Sequence, residues 1–599
     1  MRVLRLERAR LKFLVKPFPP YCVCCNGWRA THESREVFLK LKVRRMDLVE
    51  KAQATTLIYV RFSALILCNI SSMRRTGKQF LLLLTVFFIC SCGSHSSSNS
   101  NSPRAAAVIG LTSDFDTLLE LCTANSDALH VIEEMLFLTL CELDEELNLR
   151  PRLAKSWDIG ASGKEITFTL RDDVFWSDGK PTTAADVLLT YQLAVHPQVG
   201  YTGRDRFAEI DTVAVLDRHT IRFTFKKSYP DALLDLQIPI LPKHVLENVP
   251  PEQLRQSAFN RQPVGNGPFL LKEWRANDRI VFEANPDYFG GRPRLDFVVF
   301  RVVPDETVLL SSLLAGEINV LSYVPPNKLR EIEHNPDLQL LRYPDRGYSF
   351  LAFNLKRPVF HDRRVREAII HAINRQNLVE VLLNGQGRLV AGPIPPYFWA
   401  YDASLPLEVF NPQKANALLD YAGWSARTKE SWREREGAVL EFTMKTNADN
   451  KLRSDALVMM QADLANVGIR AKPELLEFGK LVEDVLQRRD FDAVLLSWKT
   501  GYAVDPSPVW HSRAIENGYN LGAYRNVQVD SLLTAARLET DRARAKPLWR
   551  AFQQQVVADC PYVFLYNQDN VAVVKKQLQN VKMDVRGYLI NVEEWYIAN

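Results

Sequence analysis

The chain has 599 residues, with 75 Lys and Arg against 70 Asp and Glu and a formal net charge of +5. The first 91 residues hold 17 of the basic and 5 of the acidic residues, so the rest of the chain has a net charge of −7, which argues against nucleic acid as a partner. Only three of the nine cysteines follow Cys92, which excludes a disulfide-rich scaffold, and the length predicts two or three domains.

Residues 1–72 are basic and have no clear hydrophobic period. We interpret them as a non-native or untranslated extension, with the natural start at Met73. The alternative is a basic arm that binds nucleic acid. The cysteine-rich "CVCC" within it lacks the paired spacing of a zinc site.

Residues 73–91 have the pattern of a secretory signal. Basic residues precede Phe80–Ile89, a run of 10 residues that is too short to span a bilayer but fits the apolar region of a signal peptide. The following "ICSC" resembles a bacterial lipobox, which predicts lipidation of Cys92, although a short buried helix is the alternative. Residues 92–105 then read as a flexible Ser/Asn tether.

Alternating strands and helices are predicted beyond the tether. A strand is expected within 106–115, and another where Ile166, Phe168 and Leu170 alternate with polar residues. Thr183 and Asp186 have the spacing of a capping box at a helix start.

Further strands are expected at 280–285 and 295–303, with a helix that ends near Gly316. Three more helices are predicted. The first covers 362–373, the second ends at Gly385, and the third begins after a cap at Asn411 and ends at Gly423. This order of elements indicates an α/β or mixed α+β fold.

The sequence contains no recognisable catalytic, nucleotide or metal motif, and its ten histidines are scattered, so we predict neither a cofactor nor a metal site. Two segments, 345–354 and 495–512, mix aromatic and polar residues after an apolar strand. Core packing explains any single aromatic equally well, but together the two segments suggest the walls of a ligand cleft.

Four segments, in order, resemble the extracellular solute-binding proteins of family 5, which serve ABC transporters for dipeptides, oligopeptides and nickel. They are residues 153–187, residues 263–321, residues 353–396, and "NLGAYRNVQVDSLLTAAR" with the later "DCPYVFLYNQ". The resemblance implies an α/β, two-lobed periplasmic-binding-protein fold of class II, with an extra domain inserted in the first lobe.

The resemblance also implies an order of domains along the chain, with crossings between the lobes near Tyr348 and Tyr566. The expected segments are lobe I at 106–150, the extra domain at 151–252, lobe I again at 253–347, lobe II at 348–565 and a closing segment of lobe I at 566–599.

Peptide-binding members of the family carry an aspartate three residues after a tryptophan, where it holds the ligand's α-ammonium. Here the tryptophan is Trp498, but Gly501 stands at the aspartate position. Asp505 is a candidate replacement. The full set of predicted ligand-binding residues is Asp114, Phe115, Tyr348, Phe350, Trp498, Tyr502, Asp505 and Trp510.

The resulting expectation is a monomeric, lipid-anchored receptor outside the cytoplasm of a bacterium, which takes a short peptide or another small solute to ABC permease subunits. Receptors for nickel chelates, opines or sugar oligomers are alternatives within the family. A cytoplasmic regulator with a DNA-binding arm and an extracytoplasmic enzyme are alternatives from other classes.

Overall fold

The computed structural model describes residues 105–598, apart from the side chain of Asn517. The predicted extension, signal and lipidation residue therefore lie outside the described residues. None of the helices in the described part is both long and apolar enough to cross a bilayer.

The strands, in chain order, are β1 Ala106–Leu111, β2 Cys141–Leu143, β3 Leu149–Pro151, β4 Ala154–Ile159, β5 Glu165–Leu170, β6 Ile210–Asp217, β7 Thr220–Phe225, β8 Phe269–Arg275, β9 Arg279–Ala284, β10 Phe297–Val302, β11 Val320–Leu321, β12 Leu338–Pro344, β13 Gly347–Phe353, β14 Gly387–Leu389, β15 Ala426–Arg427, β16 Arg433–Arg435, β17 Ala438–Val439, β18 Glu441–Asn447, β19 Arg470–Leu476, β20 Ala493–Lys499, β21 Tyr562–Lys575, β22 Leu578–Gln579 and β23 Tyr596–Ile597.

The α-helices, in chain order, are α1 Ser126–Val131, α2 Ala184–Val195, α3 Ala232–Asp235, α4 Lys243–Leu246, α5 Glu306–Ala315, α6 Arg363–Ala372, α7 Arg375–Leu382, α8 Pro412–Tyr421, α9 Lys451–Asn466, α10 Phe478–Val482, α11 Ser507–Trp510, α12 Ala514–Asn517, α13 Val527–Leu538 and α14 Arg542–Asp559.

Strand β21 connects two halves of one large mixed sheet. Its first residues pair with β13, and its later residues pair with β12 and β11. On one side the strand order continues through β1, β10, β9 and β8, which we call lobe I. On the other side it continues through β13, β20, β18 and β19, which we call lobe II. The chain thus passes between the lobes at the link between β12 and β13 and again within β21.

A separate four-stranded sheet, in the order β4-β5-β7-β6, is inserted between β3 and β8. Its inward residues Ile166, Phe168 and Ile221 are buried and belong to the same apolar core as Val298 of lobe I. The inserted sheet is therefore fixed to lobe I by a shared core. Lobe II has two apolar clusters on its sheet, and one of them also includes Leu147 and Val585 from the lobe I side.

Local capping signals in the sequence are confirmed. Thr183 and Asp186 form the predicted capping box at the start of α2. Helix α5 ends at Gly316, which has a φ of 82° that a residue with a side chain rarely adopts. Asp362 and Asn411 cap the amide groups at the starts of α6 and α8. These short-range hydrogen bonds fix the helix ends that position the loops of both lobes.

Candidate ligand cleft

The ends of β13 and β20 bring the two predicted aromatic segments side by side. The strands run antiparallel, with Tyr348 opposite Trp498 and Gly347 opposite Lys499. A Cβ on Gly347 would stand 2.0 Å from the carbonyl oxygen of Trp498, so a glycine is needed for this close approach. Segments that are about 150 residues apart in sequence therefore form one wall of lobe II.

The aromatic residues of this wall form a stack with a buried and an accessible side. The ring of Phe350 stacks with those of Trp498 and Tyr562, with centroid distances of 5.3 and 4.6 Å and nearly parallel planes. Tyr348, Phe350 and Trp510 are at most 4% exposed, so they support the wall from behind. Trp498 is only partly buried. It is the member of the stack that a ligand can touch without repacking the core.

Tyr502 connects the wall to the other lobe. Its hydroxyl donates a 3.1 Å hydrogen bond to the backbone carbonyl of Arg586, in the C-terminal segment of lobe I. The guanidinium of Arg346, in the link between β12 and β13, lies 4.7 Å from the centre of the Tyr502 ring. Burial raises the pKa of Tyr502, so the phenol stays a hydrogen-bond donor at neutral pH.

Gly501 occupies the position of the usual aspartate that binds an ammonium, and Asp505 is the predicted replacement for that aspartate. A Cβ on Gly501 would meet no atom within 4 Å, so this position faces open space. Asp505 accepts a 3.0 Å hydrogen bond from the amide of Ser507 and pairs with Arg537 at 3.1 Å. The carboxylate of Asp505 therefore already has a cationic partner within lobe II.

The inserted domain presents acidic residues close to Asp505. Burial is the main cause that raises the pKa of Asp231 to about 6, and the charges of Asp235 and Asp505 add to it. Arg537 and Arg542 act in the opposite direction. The charge of a lobe II carboxylate thus adds to the raised pKa of a carboxyl group in the inserted domain.

Asp114 and Phe115 lie in the loop after β1, because the strand predicted within 106–115 ends at Leu111. The Asp114 carboxylate accepts hydrogen bonds from the indole of Trp274 at 3.0 Å and from the amide of Asn277 at 2.9 Å. The Phe115 ring is buried edge-on against Trp274. These contacts fix the loop to the β8–β9 hairpin and do not involve the aromatic wall, so a ligand role for either residue stays a prediction.

Sequence reasoning missed an acidic residue on the lobe I side. The π-helical turn Ile132–Leu136, which follows α1, carries Glu133 and Glu134. Glu134 lies 3.9 Å from Arg152. In the part of the chain that the structure describes, no side chain hydrogen-bonds to Glu133 or lies within ion-pair distance of it, yet its charge contributes to the raised pKa of Tyr502. Glu133 is thus a half-buried carboxyl group without a side-chain hydrogen-bond or ion-pair partner among the described residues.

The environment of Glu133 favours its protonated form. Burial is the largest cause that raises its pKa to about 8, followed by the charges of Glu120 and Glu134. Arg346 and Arg206 oppose the shift but do not cancel it. Nothing in the local sequence "HVIEEML" marks this residue, because the groups that perturb it come from other parts of the chain.

Lobe I also contains a cavity of about 290 Å³. It lies at the carboxyl ends of the parallel strands β1 and β11, where α/β sheets commonly bind ligands. Its lining includes Thr112, Asp127, Glu306, Tyr323 and Lys328. Among the described residues, no group of three His, Cys, Asp or Glu side chains is placed to hold a metal ion.

The sequence of residues 148–520 matches the family model of the bacterial extracellular solute-binding proteins, family 5. The oligopeptide-binding protein AppA of Bacillus subtilis is 32% identical over 544 residues, covering 88% of this chain and 99% of that protein. The dipeptide-binding protein of Escherichia coli is 26% identical over 466 residues, covering 73% of this chain and 84% of that protein.

Solved structures show the same fold. The structure of Bacillus subtilis AppA in complex with a nonapeptide has 31% identity and a TM-score of 0.67, covering 83% of this chain and all of that one. NikZ from Campylobacter jejuni in complex with Ni(L-His) has 27% identity and a TM-score of 0.68, covering 82% of this chain and all of that one. The predicted two-lobed α/β fold is confirmed.

Proposed function

The chain belongs to the bacterial extracellular solute-binding proteins of family 5, and we propose that it captures short peptides between its lobes for an ABC importer. The observation that carries this proposal is the strand-end wall of lobe II, where the accessible Trp498 stands beside the open space at Gly501 and Tyr502 reaches lobe I. An aromatic surface with a few polar groups is typical of a ligand site. The similarity to AppA, whose structure holds a nonapeptide, supports a peptide as the ligand.

The capture follows from the connections between the lobes. They are joined through the β12–β13 link and through β21, so rotation about these two strands changes the width of the cleft. A ligand that contacts both walls binds the closed form more tightly than the open form. It shifts the population toward closure only by this difference in affinity. The closed form would then be the one that permease subunits recognise.

A nickel chelate is the second candidate ligand. The structure of NikZ, all of which matches this chain, was solved in complex with Ni(L-His). A chelate would bring its own metal ligands, so the protein would need to supply only an aromatic wall and hydrogen bonds. Opine and oligosaccharide receptors stay alternatives within the same fold.

The anchor and the assembly state are further parts of the proposal. We place the receptor outside the cytoplasm, held to a membrane by a lipid on Cys92 and the tether at 92–105. The motif "ICSC" and the polar sequence after it support this placement. We propose that the protein acts as a monomer and releases its ligand unchanged.

Mass spectrometry of the molecules that co-purify with the protein tests the ligand class. Denatured protein should release a set of peptides without a single fixed mass. A single small molecule, or a stoichiometric metal with its chelator, would instead favour the second candidate. Release of neither, together with no binding of added peptides, would contradict the peptide proposal.

A further inference from the structure

The cavity in lobe I, of about 290 Å³ at the carboxyl ends of β1 and β11, has an apolar part. Leu309 and Leu310 of α5 and Leu321 of β11 line it. All three leucines are buried and belong to one apolar cluster of lobe I. A ligand group that fills this part must be apolar, because a polar group there would lose its hydrogen bonds to water without replacement.

The remaining lining is more exposed than the leucines and includes three charged side chains. Two are acidic, Asp127 and Glu306, and one is basic, Lys328. The ammonium of Lys328 already pairs with Glu331, at 3.3 Å, which is not part of the lining. Within residues 105–598, no basic side chain lies within ion-pair distance of Asp127 or Glu306. The charge that the cavity leaves uncompensated is therefore negative.

Asp127 is the partly buried member of this acidic pair, and Glu306 is exposed. The Oδ1 of Asp127 accepts a 3.0 Å hydrogen bond from the hydroxyl of Tyr588. No second side chain of the described chain donates to its carboxylate. A carboxylate can accept about four hydrogen bonds, so Asp127 can accept further donors from a ligand in the cavity.

Two contacts place the cavity at the junction of the lobes. Tyr588, the partner of Asp127, follows two residues after Arg586, whose carbonyl accepts the 3.1 Å hydrogen bond from Tyr502 of the lobe II wall. The hydroxyl of Tyr323, which also lines the cavity, accepts a 3.3 Å hydrogen bond from Gln568 in β21. The lining thus contacts both the C-terminal segment that reaches the wall and the strand that joins the lobes.

We infer that this cavity takes the side chain of a lysine or arginine of the bound peptide. The aliphatic part of that side chain lies against the three leucines, and its cationic end donates to Asp127. Lysine and arginine combine an apolar stem with a charged end, and charge-assisted hydrogen bonds to carboxylates are the strong ones. The inference rests on the proposed peptide-binding function and adds to it a preference for peptides with a basic residue.

The test is a competition among peptides that differ in a single side chain. The library holds Ala/Ser tripeptides and nonapeptides with free ends, in which Lys, Arg, norleucine, Glu or Ala occupies each position in turn. The full chain is mixed with the equimolar library and desalted, and the retained peptides are quantified by mass spectrometry. Because all peptides of one length have the same ends, only the varied side chain determines their relative enrichment.

Three variants accompany the wild type. Asp127→Asn removes the charge and keeps an acceptor for the hydroxyl of Tyr588. Asp158→Asn, at an exposed aspartate of β4 in the inserted domain, is the matched control. Thr112→Phe introduces a large ring at an exposed position of the lining and tests whether the ligand side chain enters the cavity.

We expect the wild type and Asp158→Asn to enrich a Lys or Arg peptide about tenfold over its norleucine counterpart, the effect of one charge-assisted hydrogen bond. In Asp127→Asn this advantage should disappear, whereas norleucine should stay enriched over Ala because the leucines remain. In Thr112→Phe both advantages should be lost. Retention of the Ala peptides by each variant shows that it is folded.

Equal enrichment of basic and norleucine peptides by the wild type would overturn the inference and leave the peptide function standing. An advantage of basic peptides that persists in Asp127→Asn would do the same. Preferential retention of Glu peptides would also overturn it, since Lys328 would then determine the charge preference. If Asp127→Asn retains no peptide, Thr112→Phe decides, because an unchanged basic preference in that variant excludes the cavity. If the wild type retains no peptide of either length, the peptide function itself fails, and the inference fails with it.

Discussion

Replacing Glu133 with glutamine should stabilise the ligand-free protein, and more so as the pH rises. The folded state raises the pKa of this carboxyl group from 4.5 to about 8. A folded protein that holds a proton more tightly than the unfolded chain loses stability as the pH rises between these two values. Glutamine cannot ionise, so the variant is free of that loss.

The size of the effect follows from the same two values. Each pH unit between the unfolded and folded pKa corresponds to about 1.4 kcal/mol, so the ionisable side chain lowers the free energy of unfolding by up to about 3 kcal/mol at pH 7. Glutamine must still bury an amide that has no evident partner, which offsets part of the gain. We expect a net stabilisation of about 1–3 kcal/mol at pH 7 that levels off above about pH 8, and at about pH 4.5 only the cost of the buried amide should remain.

Urea denaturation of ligand-stripped protein, repeated at several pH values between about 5 and 8, measures this difference. The wild-type and Glu133→Gln curves of stability against pH should diverge as the pH rises, whereas Glu146→Gln, which changes an exposed glutamate in a surface turn, should run parallel to the wild type. Parallel curves for wild type and Glu133→Gln would refute the reasoning, since they would mean that Glu133 has similar proton affinity in the folded and unfolded chain.

Three further substitutions test the cleft and the anchor. Trp498→Ala should weaken peptide binding by about 1–3 kcal/mol in calorimetry, because an accessible aromatic surface is lost; an unchanged affinity would mean that the ligand lies elsewhere. Gly501→Asp has space for its side chain and should strengthen binding of a free-amino peptide several-fold, whereas no gain would show that this position does not face the amino end. Cys92→Ala should move the protein from the membrane to the soluble fraction; unchanged partitioning would contradict the lipid anchor.

Local sequence signals predicted the helix ends well, because a cap depends on residues within one turn. The capping box at Thr183 and Asp186 and the left-handed Gly316 are examples in which the interacting groups are at most four residues apart. The short apolar strand predicted within 106–115 is found at Ala106–Leu111 and ends where polar residues begin. The local pattern does not reveal that Asp114, in the polar stretch after the strand, bonds to a hairpin about 160 residues later.

The aromatic wall was predicted as a group, but the roles of its members were not. Strand pairing places Tyr348 and Phe350 among buried rings, whereas Trp498 keeps an accessible surface. Periodicity in a strand that is buried on both faces cannot distinguish these cases. Glu133 was missed for a related reason, since its environment is determined by Glu120 and by arginines from distant segments.

The contacts between the lobes suit a receptor that must open again. The Tyr502 hydroxyl reaches the Arg586 carbonyl at 3.1 Å, and Arg542 reaches the side chain of Asn148 at 2.8 Å. A hydrogen bond of this kind stabilises by about 0.5–1.5 kcal/mol net, so these two polar contacts add only modestly to the association of the lobes. A ligand that contacts the wall of lobe II and a surface of lobe I adds interactions that exist only when the lobes are close. Such a ligand would contribute to closure as well as to recognition, because it favours the closed form by its difference in affinity for the two forms.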